Sequence, residues 1–470
     1  MDNAKRRTRL RVPAKASVWY IASSALARSI GVAGTPIFTR LLSAEEYGLF
    51  PHYNTWLSLI AVVATLELSG SVIFRGLQRF ESRKAEFISA TIGLCFAVCS
   101  FICLLFFTII GIFGNFTSFN TGLFVLMFAH IILNAVVAIY TGGCRYEYRY
   151  RTVAVTNIVT AVVTPLVSVA LILFSPLRAE ARIIAQALVA LLLAVPFLVK
   201  ILRRSRRLYD GEIWRFLLKF NIPLLPHYLS AAVILRIGEV MLGIVYGNEA
   251  LAKYSVAMSI GLSLTVITNG LLSALSPWLI RKIRDGKYET ARELLYSSTL
   301  LLSFVCLCIL AVAPETIRIV TPPEYYECLP AVFPLALSVV PTFLSQAVVS
   351  GEMYFERSVI SSLPTVVSAV IGSLLTVFLL PRLDYRFVSV FVLLSYATMC
   401  ALNCVIFKKM SGERPIYTTK TALVLLLTAL YAALLLSLRE YTVIRIIAVL
   451  PVLPPLFSVG RELWVKVKEE

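Results

Sequence analysis

Three charged side chains stand where the sequence otherwise predicts hydrocarbon. Arg28 lies near the middle of an apolar stretch over residues 18–42, and Arg236 and Glu239 lie near the centre of another over residues 219–246. A charge at mid-bilayer costs roughly 3 kcal/mol even on the most lenient scale, so it faces protein or water and is read first as functional. Ser24, Arg28, Gly31, Thr35 and Thr39 recur at spacings of four, three, four and four, which gathers them on one helical face. Trp19, Leu26, Ile30, Ile37 and Leu41 fall on the other side. A small, polar, cationic stripe at that depth predicts one wall of an internal cavity suited to something anionic. Arg236 and Glu239, at i and i+3, are close enough to pair. They either add charge to the cavity or neutralise each other and hold helices together.

Weaker signals surround these. The stretch 50–74 carries Asn54, Ser58, Ala61, Thr65 and Ser69 as a small-polar stripe, with Glu67 nearby. The stretch 254–280 carries Ser255, Ser259, Ser263, Asn269, Ser273 and Ser276. Such stripes serve equally as cavity lining or as close helix–helix contacts. His130 and Asn134 sit one turn apart, where a buried histidine is either a satisfied core residue or a proton relay. His227 lies between Pro226 and Tyr228, after Pro223; two prolines interrupt the backbone ladder and mark a bend suited to gating. Arg40, at the outer end of the first stretch, either joins a gate or snorkels to the interface. Arg40, His130 and His227 are therefore candidates for gating or ion coupling.

The elements that must position these groups follow from composition. Of 470 residues, 59% are hydrophobic and 15% charged, with a mean hydropathy of +0.83. Soluble domains run nearer 45–50% apolar and about 25% charged, so the chain is an all-α integral membrane protein. Apolar stretches between charged breaks number about fourteen. The net charge of +18 would suggest nucleic acid in a soluble protein, but no nucleic-acid-reading motif is present, and basic residues are retained on the cytoplasmic side of membrane proteins. With the N-terminus inside, 33 of the 44 Lys and Arg fall in inner segments and eight in outer ones. That asymmetry predicts both termini in the cytoplasm and an even number of spans. The polar start reads as an uncleaved cytoplasmic end.

The basic segment 203–218 divides the chain near its middle and reads as a surface-lying linker held by anionic lipid, or as an ordinary positive-inside loop. The domain reading is an N-terminal six-helix lobe over 1–202, this amphipathic linker, a C-terminal six-helix lobe over 219–410, and two further helices with a tail over 411–470. Phosphate-loop, HExxH and GxSxG signatures are missing, and the outer loop near 313–328 is too small for a catalytic domain. No enzyme activity, metal or cofactor is expected. The nine cysteines form no ligand or disulfide framework; Cys95, Cys99 and Cys103 share one face of an apolar span, where thiols act as small hydrophobes.

The run TRLLSAEEYGLF over residues 39–50, after a basic start and a small-residue first span, resembles the opening of the polysaccharide transporters, the O-antigen and exopolysaccharide flippases of the multidrug/oligosaccharidyl-lipid/polysaccharide superfamily. GNEALAKYSVA over 247–257 and PPEYYECLP over 322–330 are similar to that family's second-half loop motifs. The resemblance implies two six-helix lobes around a central cavity lined by spans one, two, seven and eight, alternating access across a bacterial or archaeal cytoplasmic membrane, and a polyprenyl-diphosphate-linked oligosaccharide as cargo. Related lipid II flippases carry two extra C-terminal helices as a lipid groove, which the last two spans would match. The cargo-binding set then comprises Arg28, Arg236, Glu239, Ser24, Thr35, Asn54, Glu67, Ser259 and Asn269. H+ or Na+ and other polysaccharide-assembly proteins are the remaining expected partners. The rivals are a cation-coupled multidrug exporter of the same superfamily and a membrane sugar-chain polymerase or ligase.

Overall fold

Backbone polar groups in a bilayer must be satisfied inside the segment that crosses it, which leaves helices as the economical solution for apolar runs of this length. The computed structural model describes residues 2–113, 119–352, 358–412, 416–417 and 419–452, and among these the chain is almost wholly helical, with no strand. It divides into two compact units, Met1–Ala232 and Val233–Glu470.

The first unit contains α1 (Asp2–Leu41), α2 (Ala44–Thr65), α3 (Ser71–Arg79), α4 (Lys84–Phe113), α5 (Thr121–Tyr146), α6 (Tyr150–Phe174), α7 (Ala181–Arg204) and α8 (Gly211–Asn221), and runs into α9 (Leu225–Val245). α1 lies along α6, α6 along α7 and α7 along α5, while α2 packs on α4 and α5. Ser43 and Glu46 form a capping box that opens α2. Hydroxyls inside the spans are satisfied along their own helices: Thr55, Thr65, Thr91 and Thr141 each donate to the carbonyl four residues back, at 2.7–2.9 Å. Two apolar clusters fill the unit, one around Phe80, Phe87, Tyr140 and Phe197, the other around Tyr53, Phe119, Phe124 and Phe128.

The stretch 50–74, expected as one span, is two helices. Leu66 and Glu67 both take positive φ, at 49° and 51°, a conformation that costs roughly 1–2 kcal/mol for a residue with a Cβ. Tertiary contacts hold it: Asn221 Nδ2 donates to the Leu66 carbonyl at 2.9 Å, and Leu66 and Leu68 are buried in the first apolar cluster.

Residues 203–218 are mostly exposed and are fastened to the first unit along one side. Asp210 caps α8, accepting from the Glu212 and Ile213 amides at 3.1 and 3.2 Å. Arg83 pairs with Asp210 and, at 2.9 Å, with Glu86. Trp214 Nε1 donates to the Ala90 carbonyl at 3.0 Å. The close approach needs Gly93, because a Cβ there would collide with the Leu208 backbone.

The second unit holds the rest of α9, then α10 (Gly247–Gly261), α11 (Thr265–Arg284), α12 (Tyr288–Val320), α13 (Leu329–Glu352), α14 (Ser358–Leu379), α15 (Phe387–Ser411), α16 (Thr419–Ser437) and α17 (Thr442–Val449). α13 is its axis and packs on α15, α11, α10 and α12. The expected span 254–280 is also interrupted, by a tight turn over Leu262–Leu264. α16 packs on α12 and α13, and α17 on α12. Arg445 of α17 is wholly buried: it donates from Nε to the Ala311 carbonyl at 2.6 Å and pairs with Glu315.

Eleven helical stretches among the described residues, from Glu81–Ile112 to Thr419–Ser437, are long and apolar enough to cross a membrane. They correspond one to one with the third to thirteenth expected spans. The first two expected spans fall short of that test: polar and charged residues dilute the first, and the break at Leu66 and Glu67 divides the second. The last, 442–459, is described as far as residue 452, as the short α17 and the tight turn Leu450–Val452.

Candidate functional site

α1 presents two unlike exposed faces. Ser24, Arg28 and Gly31 are exposed on one, and Leu26 and Ile37 on the opposite one. Ser23, between them, meets α6 by accepting from Asn157 Nδ2 at 3.3 Å, and Trp19, on the side of Leu26, stacks on Tyr150 at 6.2 Å. Further along the polar face, Thr35 and Thr39 are buried, and Thr39 Oγ1 donates to the Thr35 carbonyl at 2.9 Å. The exposed polar part of the stripe is thus its first half, with the Arg28 guanidinium, a fork of donors shaped for carboxylate or phosphate, at its centre. Arg40 is exposed near the end of the same helix.

The small-polar stripe of α2 divides by use. Asn54 donates from Nδ2 to the Phe50 carbonyl at 2.9 Å and accepts from Gln186 Nε2 at 3.1 Å, so its amide ties α2 to α7. Glu67 is half-buried at the break between α2 and α3, and one turn on, Ser71 Oγ lies 3.3 Å from the Tyr228 hydroxyl. His130 is buried in the Phe119–Phe128 cluster, its ring stacked on Tyr53 and its Nδ1 3.5 Å from the Tyr53 hydroxyl. His227 is half-buried, packed beside Tyr228, just past the tight turn Ile222–Leu224.

In the second unit the structure joins Arg236 and Glu239. Arg236 Nη1 donates to both Glu239 oxygens, at 3.0 and 2.9 Å, and Glu239 is only 2% exposed. The buried phenol of Tyr254 lies in the field of both charges and that of Tyr396 in the field of Arg236. Ser259 is half-buried and donates to the Ser255 carbonyl at 2.9 Å, while Asn269 is exposed on α11.

Three features escaped the sequence. Arg182 is enclosed by the rings of Phe38, Tyr47 and Phe50 at 4.3, 4.8 and 3.9 Å, a cation–π box joining α7, α1 and α2. Arg445 reads as an outer-loop charge until it is seen paired with Glu315. Asn221 holds the break in α2 across 155 positions. Each depends on a partner far along the chain; for Arg182 alone, the aromatics in and beside the 39–50 motif offered a signal. Outside the spans, the Arg178 guanidinium bonded to Glu46 at 2.7 Å holds that carboxyl below the usual carboxylate range. Among the described residues no three His, Cys, Asp or Glu side chains gather as a metal site.

A sequence profile for a family described as polysaccharide biosynthesis protein matches residues 14–283, more than half of the chain. Among solved structures, the chain is similar to the lipid II flippase MurJ in an inward closed conformation, with a TM-score of 0.70 at 11% identity, covering 95% of this chain and 99% of that one. It is similar also to the eukaryotic MATE transporter AtDTX14, with a TM-score of 0.59 at 15% identity over 87% of this chain and 98% of that one. A MATE protein in complex with MaL6 gives a TM-score of 0.59 at 14% identity over 85% and 96%. No curated protein sequence matches the chain.

Proposed function

Since the chain belongs to the polysaccharide biosynthesis protein family, we propose that it is a flippase that carries a polyprenyl-diphosphate-linked oligosaccharide from the cytoplasmic to the outer leaflet of a bacterial or archaeal cytoplasmic membrane by alternating access. In this reading both termini are cytoplasmic and the last two helices provide a groove for the lipid tail. The reading takes support from the shared fold with MurJ and MATE transporters, but the observation that carries it is the two-faced α1. Its exposed apolar side, with Leu26 and Ile37, suits lipid; its exposed polar side then holds Arg28 in a wet hollow, where a diphosphate makes the charge tolerable. Ser24 on the same face offers a hydroxyl to the sugar. Outward movement of an anion gains about 2.3 kcal/mol per charge per 100 mV from an inside-negative potential.

The rival multidrug exporter needs an uncompensated carboxylate to hold its cations. Glu239 already receives two hydrogen bonds from Arg236, which disfavours it; Glu67 at the break in α2 is the remaining candidate for H+ or Na+. The test is export of the strain's surface glycan with Arg28→Ala in place of the wild type. The expected result is loss of surface glycan with accumulation of its lipid-linked precursor inside. Normal export, with drug resistance lost instead, refutes the reading.

A further inference from the structure

We propose that a cavity at one end of the first unit is a binding site for the phosphate headgroup of an anionic phospholipid. The cavity, about 180 Å³, lies among the start of α4 and the ends of α3, α5 and α7. Four cations surround it, Lys84, Arg149, Lys200 and Arg204, against one carboxylate, Glu147. Two of the four are partly neutralised: Arg149 lies 3.6 Å from Glu147, and Lys84 lies 3.5 Å from Glu81. Among the described residues, no carboxylate is paired with Lys200 or Arg204, one turn apart on α7. The cavity wall beneath is apolar, made by Leu77, Ile88, Ile201 and the Tyr140 ring, which stacks on Phe197 at 4.3 Å.

The architecture is built around this opening rather than left over from packing. Lys84 Nζ sits 5.3 Å over the Tyr146 ring, which holds its charge at the rim. The turn that presents Glu147 and Arg149 is fastened by the Arg149 amide donating to the Cys144 carbonyl at 2.8 Å, with Tyr148 at a positive φ of 56°. Strain of that kind in a residue with a Cβ persists only where surrounding structure imposes it.

Cationic rim and apolar floor together fit an amphiphile whose head is anionic. The volume admits a phosphodiester but not a sugar chain, for ligands of that size need pockets of roughly 300 Å³ or more. Basic pockets between helix ends on the cytoplasmic side are where anionic headgroups lodge, and the site's place in the inner leaflet rests on the orientation proposed above. Its occupancy would hold α3, α4, α5 and α7 at that end of the unit, independently of what the protein transports.

Native mass spectrometry of the full-length protein in mild detergent, titrated with phosphatidylglycerol or phosphatidylcholine, tests the site without reference to transport. Preferential retention of phosphatidylglycerol is expected, and the double variant Lys200→Gln/Arg204→Gln should weaken it roughly 30-fold, from about 1 kcal/mol per cation at tenfold per 1.4 kcal/mol. The control Arg203→Gln/Arg206→Gln, on the same end but outside the cavity, should change retention much less. Equal retention of both lipids, or a double variant that binds like the wild type, overturns the proposal. Displacement of the lipid by millimolar inorganic phosphate alone would overturn the lipid as the source and assign the cavity to a free anion. A flippase reading that fails leaves these outcomes unchanged.

Discussion

Arg28 of the first unit and Arg236 of the second each stand near the middle of an apolar stretch, and from spacing alone both read as cargo-binding cations. The structure surrounds them differently. Arg236 has a carboxylate one turn away that it meets with two hydrogen bonds, and that carboxylate is 2% exposed. Arg28 stays exposed, on a face whose near neighbours are Ser24 and Gly31. A buried ion pair recovers most of its desolvation cost internally and asks nothing of a ligand. An exposed guanidinium in a membrane span is tolerable only where water or an anion reaches it. On the proposed function, the first unit's arginine is the one that meets cargo and the second's holds helices together.

The sharpest way to break that assignment is to remove Glu239. Glu239→Ala strands the Arg236 charge in a half-buried place and should destabilise the protein by about 3 kcal/mol, read as thermal unfolding in detergent. The double variant Arg236→Met/Glu239→Leu replaces the pair by apolar groups and should regain most of that loss while keeping glycan export. A double variant that folds but does not export would move the pair into the cargo site. Arg28→Ala makes the complementary prediction. Export should fall about 10- to 100-fold, the worth of a lost charged hydrogen bond of about 1.5–3 kcal/mol, while stability changes by no more than about 0.5 kcal/mol. Equal losses of stability and export would make Arg28 a packing residue and erase the contrast.

A second contrast lies between the two interrupted spans. The break at Leu66 and Glu67 uses residues with side chains at positive φ, whereas the turn at Leu262–Leu264 avoids positive φ altogether. The first is therefore imposed from outside, and Asn221 is the group that imposes it. Asn221→Leu should cost about 1–2 kcal/mol. Leu66→Gly, which relieves the left-handed strain at the price of a buried side chain, should not restore export if the break is needed in place.

These breaks mark where sequence reading stops. Hydropathy located eleven spans because each carries its own apolar signal over some twenty residues. Nothing local announces a break at Leu66–Glu67, which has neither proline nor a glycine at the strained positions; the cause is an amide supplied by Asn221. The polar stripe of α1 was legible from period alone, but its division into an exposed half around Arg28 and a buried half at Thr35 and Thr39 needed the neighbours. Asn54 looked like cavity lining until Gln186, far along the chain, took its carbonyl. Period gives a face; only the partner gives its use.

The smallest expected effect comes from an ion pair of the opposite kind to Arg236–Glu239. Arg178 reaches Glu46 at 2.7 Å and the Leu41 carbonyl at 2.8 Å, so it clasps the corner between α1 and α2, but it is more than half exposed. Water and salt screen such a pair, and exposed pairs contribute little to global stability. Its signature is therefore local and dependent on pH. Because the Arg178 bond lowers the Glu46 carboxyl below its ordinary 4.5, the clasp is fully present above the unfolded value and is lost as pH falls through the lower, folded one. Amide hydrogen exchange over residues 42–49, followed from neutral pH downward and corrected for intrinsic rates, should lose protection only below the range where an unperturbed glutamate titrates. Arg178→Gln should remove that pH step and leave exchange around Arg236 and Glu239 untouched. A step that survives the substitution would mean that the Ser43–Glu46 capping box, not the arginine, holds the corner.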